Sequence, residues 1–195
     1  DTRTDFLKII NSTSGSILEL LNDLLSFSAI ESGQLVLNLK PGNLHILMEE
    51  RIKIYTHLAM EKNINFDIKY QNLKLILFDT PRIGQVIDNL LTNAIKFSPI
   101  GGTIQIIVES VSEHLRVTIT DQGSSIRSED LDDLCKPFKK LDSGSTQNKK
   151  GTGLGLAIAK KMIELHNGTL TFRPSKSQGA SFCFELPVTP LTLQS

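Results

Sequence analysis

Phe6, Ile10, Thr13, Ile17, Leu20, Leu24 and Phe27 step along the chain by 4, 3, 4, 3, 4 and 3 residues. An unbroken a/d run of this kind demands a helix whose apolar seam is covered by other helices in a coiled-coil-like bundle. Leu7 and Leu21 widen the stripe beyond a two-stranded seam, as a four-helix bundle requires. An ordinary amphipathic helix lying on its own domain is the alternative. Gly33 follows as a stop signal. One helix cannot bury this seam alone, so its partners come from chain outside this sequence or from another copy.

Beyond Gly33 the period changes. Leu35, Leu37 and Leu39 alternate between Gln34 and Lys40, which reads as a short strand closed by Pro41-Gly42 at a domain boundary. Asn43 can cap a helix to about Asn63, with Leu44, Leu47, Ile52, Tyr55 and Leu58 inward. Ile64, Phe66 and Ile68 alternate as a strand, as do Leu75 and Leu77. Thr80-Pro81 reads as a cap with proline at the first helical position. Thr103 to Val111 and Leu115 to Thr120 flank Ser112-Glu113-His114 as a hairpin, and Gly168 to Phe172 and Ser181 to Leu186 are further strands. The order is strand, helix, two strands, helix, hairpin, helix, hairpin. It predicts an α+β two-layer sandwich, a mixed sheet with helices on one face, preceded by one long bundle helix.

Composition narrows the function. The 195 residues carry no net charge, so no basic field points to nucleic acid or an anionic membrane. No apolar run approaches a membrane span, and no signal peptide pattern opens the chain. Cys135 and Cys183 lack CxxC spacing and read as free thiols in a reducing compartment. Asp1 is not a natural start, which marks the sequence as an excised piece.

Chemistry-bearing residues gather in three places. Ile87, Leu90, Leu91, Ala94 and Ile95 form one apolar helical stripe, and Asn89, Asn93 and Lys96 share a second face. Amide oxygens are hard ligands suited to Mg²⁺, and a lysine one turn on suits a phosphate; a solvated polar face is the bland alternative. Ser143 to Gly153 has no apolar anchor and reads as a mobile loop. It runs into Gly151-Thr152-Gly153-Leu154-Gly155-Leu156, just before a helix bearing Ile158, Met162, Ile163 and Leu165. Glycines let N–H groups close on an anion and the helix start adds positive partial charge, so this is a phosphate site on physical grounds; a plain tight turn is the alternative. No Gly-Lys-Ser/Thr makes it a Walker loop. Asp121 before Gly123 ends the hairpin, where a carboxylate can accept from an exocyclic amine such as adenine's; a simple turn is the alternative.

Taken in order, Asn-x-x-x-Asn-x-x-Lys-Phe, Asp-x-Gly, Pro137-Phe138 and Gly-Thr-Gly-Leu-Gly-Leu resemble the catalytic domain of sensor histidine kinases. These correspond to that family's Asn box, first glycine box, Phe box and second glycine box. The resemblance implies the Bergerat ATP-binding fold over residues 34–189, with residues 190–195 a tail. Residues 1–33 look like the second helix of the dimerisation and phosphotransfer hairpin. It implies ATP and Mg²⁺ as cofactors. Asn89 and Asn93 would hold Mg²⁺, Lys96 would reach the phosphates, and these three would form the catalytic set. Asp121 would accept from the adenine amine beside Gly123, with Ser181 where the family has a threonine. Lys149 or Lys150 would reach the terminal phosphate, and Gly151, Thr152, Gly153, Leu154, Gly155 and Leu156 would line the triphosphate. Phe138 would anchor the lid against the core. Implied partners are a second kinase chain, as a homodimer or heterodimer through the bundle helix, and a response regulator receiver domain. The implied location is the cytoplasm, or the cytoplasmic part of a membrane-bound sensor with no membrane contact by this stretch.

Two departures from the family pattern shape the alternatives. Ser125 replaces the second glycine of Asp-x-Gly-x-Gly, and would be strained if that position needed positive φ. None of His45, His57, His114 and His166 has the acid and base that follow the family's phosphoacceptor, whose helix would precede Asp1. A degenerate module that binds little nucleotide and regulates a partner kinase is therefore the alternative. A gyrase- or chaperone-type ATPase is a third reading. In those proteins a glutamate four residues before the metal-binding asparagine activates water, and here that position is Asn89.

Overall fold

The computed structural model describes residues 2–71, 74–125, 130, 133–139, 152–174 and 179–188. Helix α1 (Thr2–Glu31) comes first. Then follow β1 (Lys40–Gly42), α2 (Leu44–Met60), β2 (Asn65–Gln71), β3 (Ile76–Phe78) and α3 (Thr80–Phe97). The hairpin β4 (Thr103–Val111) and β5 (His114–Thr120), α4 (Gly155–Leu165), and β6 (Thr169–Pro174) with β7 (Ala180–Pro187) follow among the described residues. The strands form one five-stranded sheet in the order β2-β4-β5-β7-β6 and a two-stranded ribbon of β1 and β3. Only the β2–β4 pair is parallel within the large sheet. This is the mixed sheet with helices packed on one face that the order of elements predicts.

The core lies between that sheet and α2, α3 and α4. Ile104, Ile106 and Val108 of β4, Leu115, Val117 and Ile119 of β5 and Phe182, Phe184 and Leu186 of β7 alternate inward. They meet Ile83, Val86, Ile87, Leu90, Leu91, Ala94 and Ile95 of α3, and Ile158, Met162 and Ile163 of α4. The apolar stripe of the Asn-bearing helix is thus buried along its whole length. The heptad seam of α1 is not: Phe6, Ile10, Ile17, Leu20 and Leu24 are all exposed in the isolated chain.

Several local expectations change. Residues 34–39 form no strand; pairing begins at Lys40, antiparallel to Phe78, and runs through Pro41-Gly42. Of the alternating leucines, Leu35 and Leu37 are half-buried, Leu35 against the core, while Leu39 is exposed; the inward face is there without a strand to carry it. Pro41 needs no ladder N–H on an edge, and Gly42 lies against Phe78, whose Cε1 would stand 2.5 Å from an added Cβ. In β3 the buried face is Ile76 and Phe78, one residue out of phase with the predicted Leu75 and Leu77. Leu58 and Leu165 point outward, and Met48 and Ala59 take the inward places on α2. The cap of α3 is Asp79 rather than Thr80: Asp79 Oδ1 accepts from Arg82 N at 3.1 Å.

Asp79 is also a junction. Its Oδ2 accepts from Asn38 N at 2.8 Å, and its own N–H donates to His166 Nε2 at 3.0 Å. His166 Nδ1 lies 2.7 Å from Met162 O. A carbonyl can only accept and an amide N–H can only donate, so His166 is neutral with its proton on Nδ1. Burial pushes its pKa below the usual 6.5, against the opposing pull of Met162 O and the Asp79 charge. A depressed histidine pKa means that the unfolded chain binds the proton first. Stability is therefore complete above pH 6.5 and falls as pH drops through the lowered native value. Urea unfolding of the native protein should lose at most about 1.4 kcal/mol per pH unit through this group. His166→Gln should flatten that part of the profile, and an unchanged slope would clear His166 of the effect.

Candidate functional site

Asn89 of α3 meets the start of α4, and the end of α3 lies against the loop after Asp121. Asn89 lies on α3 facing the start of α4, where its Nδ2 donates to Gly155 O at 2.9 Å. A Cβ on Gly155 would stand 3.3 Å from Asn89 Oδ1, so only a small residue lets the two helices approach this closely. Asn93 and Lys96 follow on the same face, both half-buried, with Lys96 Nζ 5.1 Å from the Phe97 ring centroid. The neighbouring Asp88 turns the other way, onto Arg51 of α2 at 3.4 Å, and burial raises its pKa. Among the described residues no trio of His, Cys, Asp and Glu could hold a metal ion.

The C-terminus of α3 is held by a residue that sequence reading missed. Lys62, in the turn after α2, donates from Nζ to Ile95 O at 2.7 Å, Lys96 O at 3.2 Å and Ser98 O at 2.6 Å. An ammonium on the last carbonyls of a helix answers both their unmet hydrogen bonds and the negative end of the dipole. No local signal marks Lys62, because its partners lie more than thirty residues on.

Asp121 ends β5 and is only 2% exposed. Its Oδ1 accepts from Gly123 N at 2.8 Å and Ala180 N at 3.3 Å. Two glycines make room around it. A Cβ on Gly123 would stand 2.5 Å from Phe97 O, and one on Gly179 (φ +99°) would stand 2.1 Å from Asp121 O. Ser181 pairs with Thr120 across β5 and β7, the hydroxyl oxygens 3.1 Å apart. Ser125 is not among the left-handed non-glycine residues, which are Asn63, Ser112, Phe138 and Asn167 within the described chain. The serine therefore carries no φ penalty.

Thr152, Gly153, Leu154 and Gly155 enter α4, with Gly153 at φ +75°. No side chain of Leu154 caps the helix, although Thr152 Oγ1 accepts from Leu154 N at 3.1 Å. Leu154 is buried and Leu156 partly so, packed on the core. Lys149, Lys150 and Gly151 lie outside the described residues. Phe138 does not anchor into the core: its ring is 63% exposed and meets Phe27 of α1 edge-on, centroids 6.5 Å apart. Its backbone does the holding, with φ at +62° and its N–H donating to Gly153 O at 3.0 Å.

The fold thus combines a five-stranded mixed sheet with an Asn-bearing helix, a buried aspartate at a strand end and a glycine-rich helix start. The family model described as histidine kinase-, DNA gyrase B- and HSP90-like ATPase matches residues 78–190, and the chain belongs to that family. Its similarity is to the histidine kinases of two-component systems. It is 31% identical over 192 residues to the signal transduction histidine-protein kinase BarA of Escherichia coli (strain K12), covering 95% of this chain and 21% of BarA. Full-length ShkA, solved in complex with AMPPNP, shares the fold with a TM-score of 0.83 at 24% identity, over 96% of this chain and 39% of ShkA. Histidine kinase ThkA, solved in complex with response regulator protein TrrA, matches with a TM-score of 0.78 at 26% identity, over 97% of this chain and 52% of ThkA. The chain spans about a fifth of the length of the curated relatives it matches. Among the described residues no helix is long and apolar enough to cross a membrane.

Proposed function

We propose that this chain holds Mg²⁺-ATP for phosphoryl transfer to a histidine other than the four it contains, as the ATP-binding part of a sensor histidine kinase. The observation that carries the reading is the Asn89–Gly155 hydrogen bond, which sets the amide face of α3 against the open start of α4. A cradle of glycines and a buried carboxylate suits adenine at Asp121, Gly123 and Ser181. Asn89 and Asn93 would hold the cation, and Lys96, Thr152, Gly153, Leu154, Gly155 and Leu156 would face the phosphates, joined by Lys149, Lys150 and Gly151. The cation would neutralise charge on the transferred group. The protein's own part is positioning and preorganised charge. Asn89 cannot take a proton from water, so the site suits holding ATP for an incoming nucleophile better than hydrolysing it.

The histidines support a phosphoacceptor elsewhere. His166 is buried with both ring nitrogens engaged, His45 packs edge-on against Tyr70, and His57 pairs with Glu61. Residues 1–33 would belong to a dimerisation hairpin and residues 34–189 to the ATP-binding domain. The exposed seam of α1 suits a homodimer or heterodimer partner, and ThkA's complex with TrrA supports a response regulator as a further partner.

Calorimetric titration with an ATP analogue, with and without Mg²⁺, tests the reading. Mg²⁺-dependent binding is the expected result, and no binding would overturn it. Ser125→Gly separates the degenerate alternative. With no strain to relieve, glycine should leave affinity unchanged and cost about 0.5 kcal/mol of stability through chain entropy. Binding that appears only in the glycine variant would favour the degenerate module.

A further inference from the structure

Asp23 is the one buried residue among the described side chains of α1. It is 9% exposed on a helix whose described large apolar residues from Phe6 to Leu25 stand 44–67% exposed. A carboxylate inside, with the leucines outside, inverts the usual order, and a buried charge persists only where donors serve it. The donor is the glycine-rich turn: Thr152 Oγ1 donates to Asp23 Oδ2 at 2.7 Å, and the same hydroxyl accepts from Leu154 N at 3.1 Å. One turn further along α1, Ser26 Oγ accepts from Gln85 Nε2 at 3.3 Å, and Phe27 meets the Phe138 ring. Phe138 in turn holds Gly153 through its backbone N–H. The last turns of α1 therefore grip both Thr152 and Gly153, the residues that lead into α4.

We infer that Asp23 is a further determinant of anion affinity at this site, a positioning residue that the bundle helix supplies to the turn through Thr152. The inference rests on the ATP reading above. The carboxylate stands two hydrogen bonds from the amide of Leu154, the cap residue of α4. That places a fixed negative charge well within one Debye length of any phosphate bound there. Holding Thr152 and opposing a triphosphate are then one act. By reciprocity, a bound triphosphate loosens the grip of Asp23 on Thr152 by the same factor as that grip weakens the triphosphate. The position of α1 and the occupancy of the turn are coupled.

Calorimetry on the full chain, wild type against Asp23→Asn and Asp23→Ala, distinguishes this from a merely structural contact. Both variants should bind a non-hydrolysable ATP analogue about fivefold more tightly at low salt, the gain fading in high salt. Adenosine, which carries no phosphate, should bind all three alike. Asn keeps an acceptor for Thr152, so a loss of fold in Ala alone leaves the charge test intact. Equal or weaker triphosphate binding by the variants, or a gain shared by adenosine, would overturn the inference while the wild type still binds. No binding by the wild type would overturn the ATP reading, and the inference with it.

Discussion

Asp121→Asn should leave the protein folded and weaken its affinity for an ATP analogue by about a hundredfold or more. The two effects separate because of how the carboxylate is used. Oδ1 accepts from Gly123 N and Ala180 N, at 2.8 and 3.3 Å, and an amide oxygen can accept from both in the same place. The substitution removes the charge and turns one carboxylate oxygen into an NH₂ donor. An adenine amine brought to that atom would meet a second donor, and a buried donor left facing a donor has no water to turn to. Calorimetric binding should therefore fall much further than thermal stability. Undiminished affinity would remove Asp121 from adenine recognition. A large drop in melting temperature would mean the carboxylate serves the β5–β7 junction instead.

What the sequence made legible was whatever repeats at short range. The 3.6 period of Ile87, Leu90, Leu91, Ala94 and Ile95 gave a helix and its buried face, because burial acts on every turn of the same stripe. Strict alternation gave β4, β5 and β7 for the same reason. Asn89, Gly155 and Asp121 stood out by type and spacing, and the structure sets Asn89 against Gly155. The failures lie where the competing force is long-range. Leu75 and Leu77 alternate as well as Ile76 and Phe78 do on paper, and only the pairing of β3 with Lys40–Gly42 chooses the face. Thr80 is a good cap by rank, yet Asp79 takes the place because its other carboxylate oxygen and its N–H are wanted by Asn38 and His166. Proximity to proline identified the helix start to within one residue; the tertiary network chose the cap. Phe138 was read as an anchor from its type, but its ring meets α1 and its backbone meets Gly153.

Lys62→Met should destabilise the protein by about 2–3 kcal/mol, the largest loss expected from a single half-exposed side chain here. Methionine keeps the length and the apolar stem and removes only the ammonium. The three carbonyls it served, of Ile95, Lys96 and Ser98, then face the end of α3 without their donor. The damage should spread in a definite direction. The Phe97 carbonyl lies in the same turn and leaves no room for a Cβ on Gly123, so the end of α3 and the loop after Asp121 are fitted to each other. Loosening one should widen the gap between the Asn89–Lys96 face and Asp121, and nucleotide affinity should fall along with stability. Arginine is a poor substitute, because a planar guanidinium cannot aim at three carbonyls arranged around a point charge. Urea unfolding of wild type, Lys62→Met and Lys62→Arg should rank stability in that chemical order, wild type above arginine above methionine. A loss below about 1 kcal/mol for methionine would place Lys62 with ordinary surface lysines, whose contacts are worth little. Full loss in both variants, by contrast, would assign the whole effect to the geometry of the three carbonyls rather than to charge at the helix end.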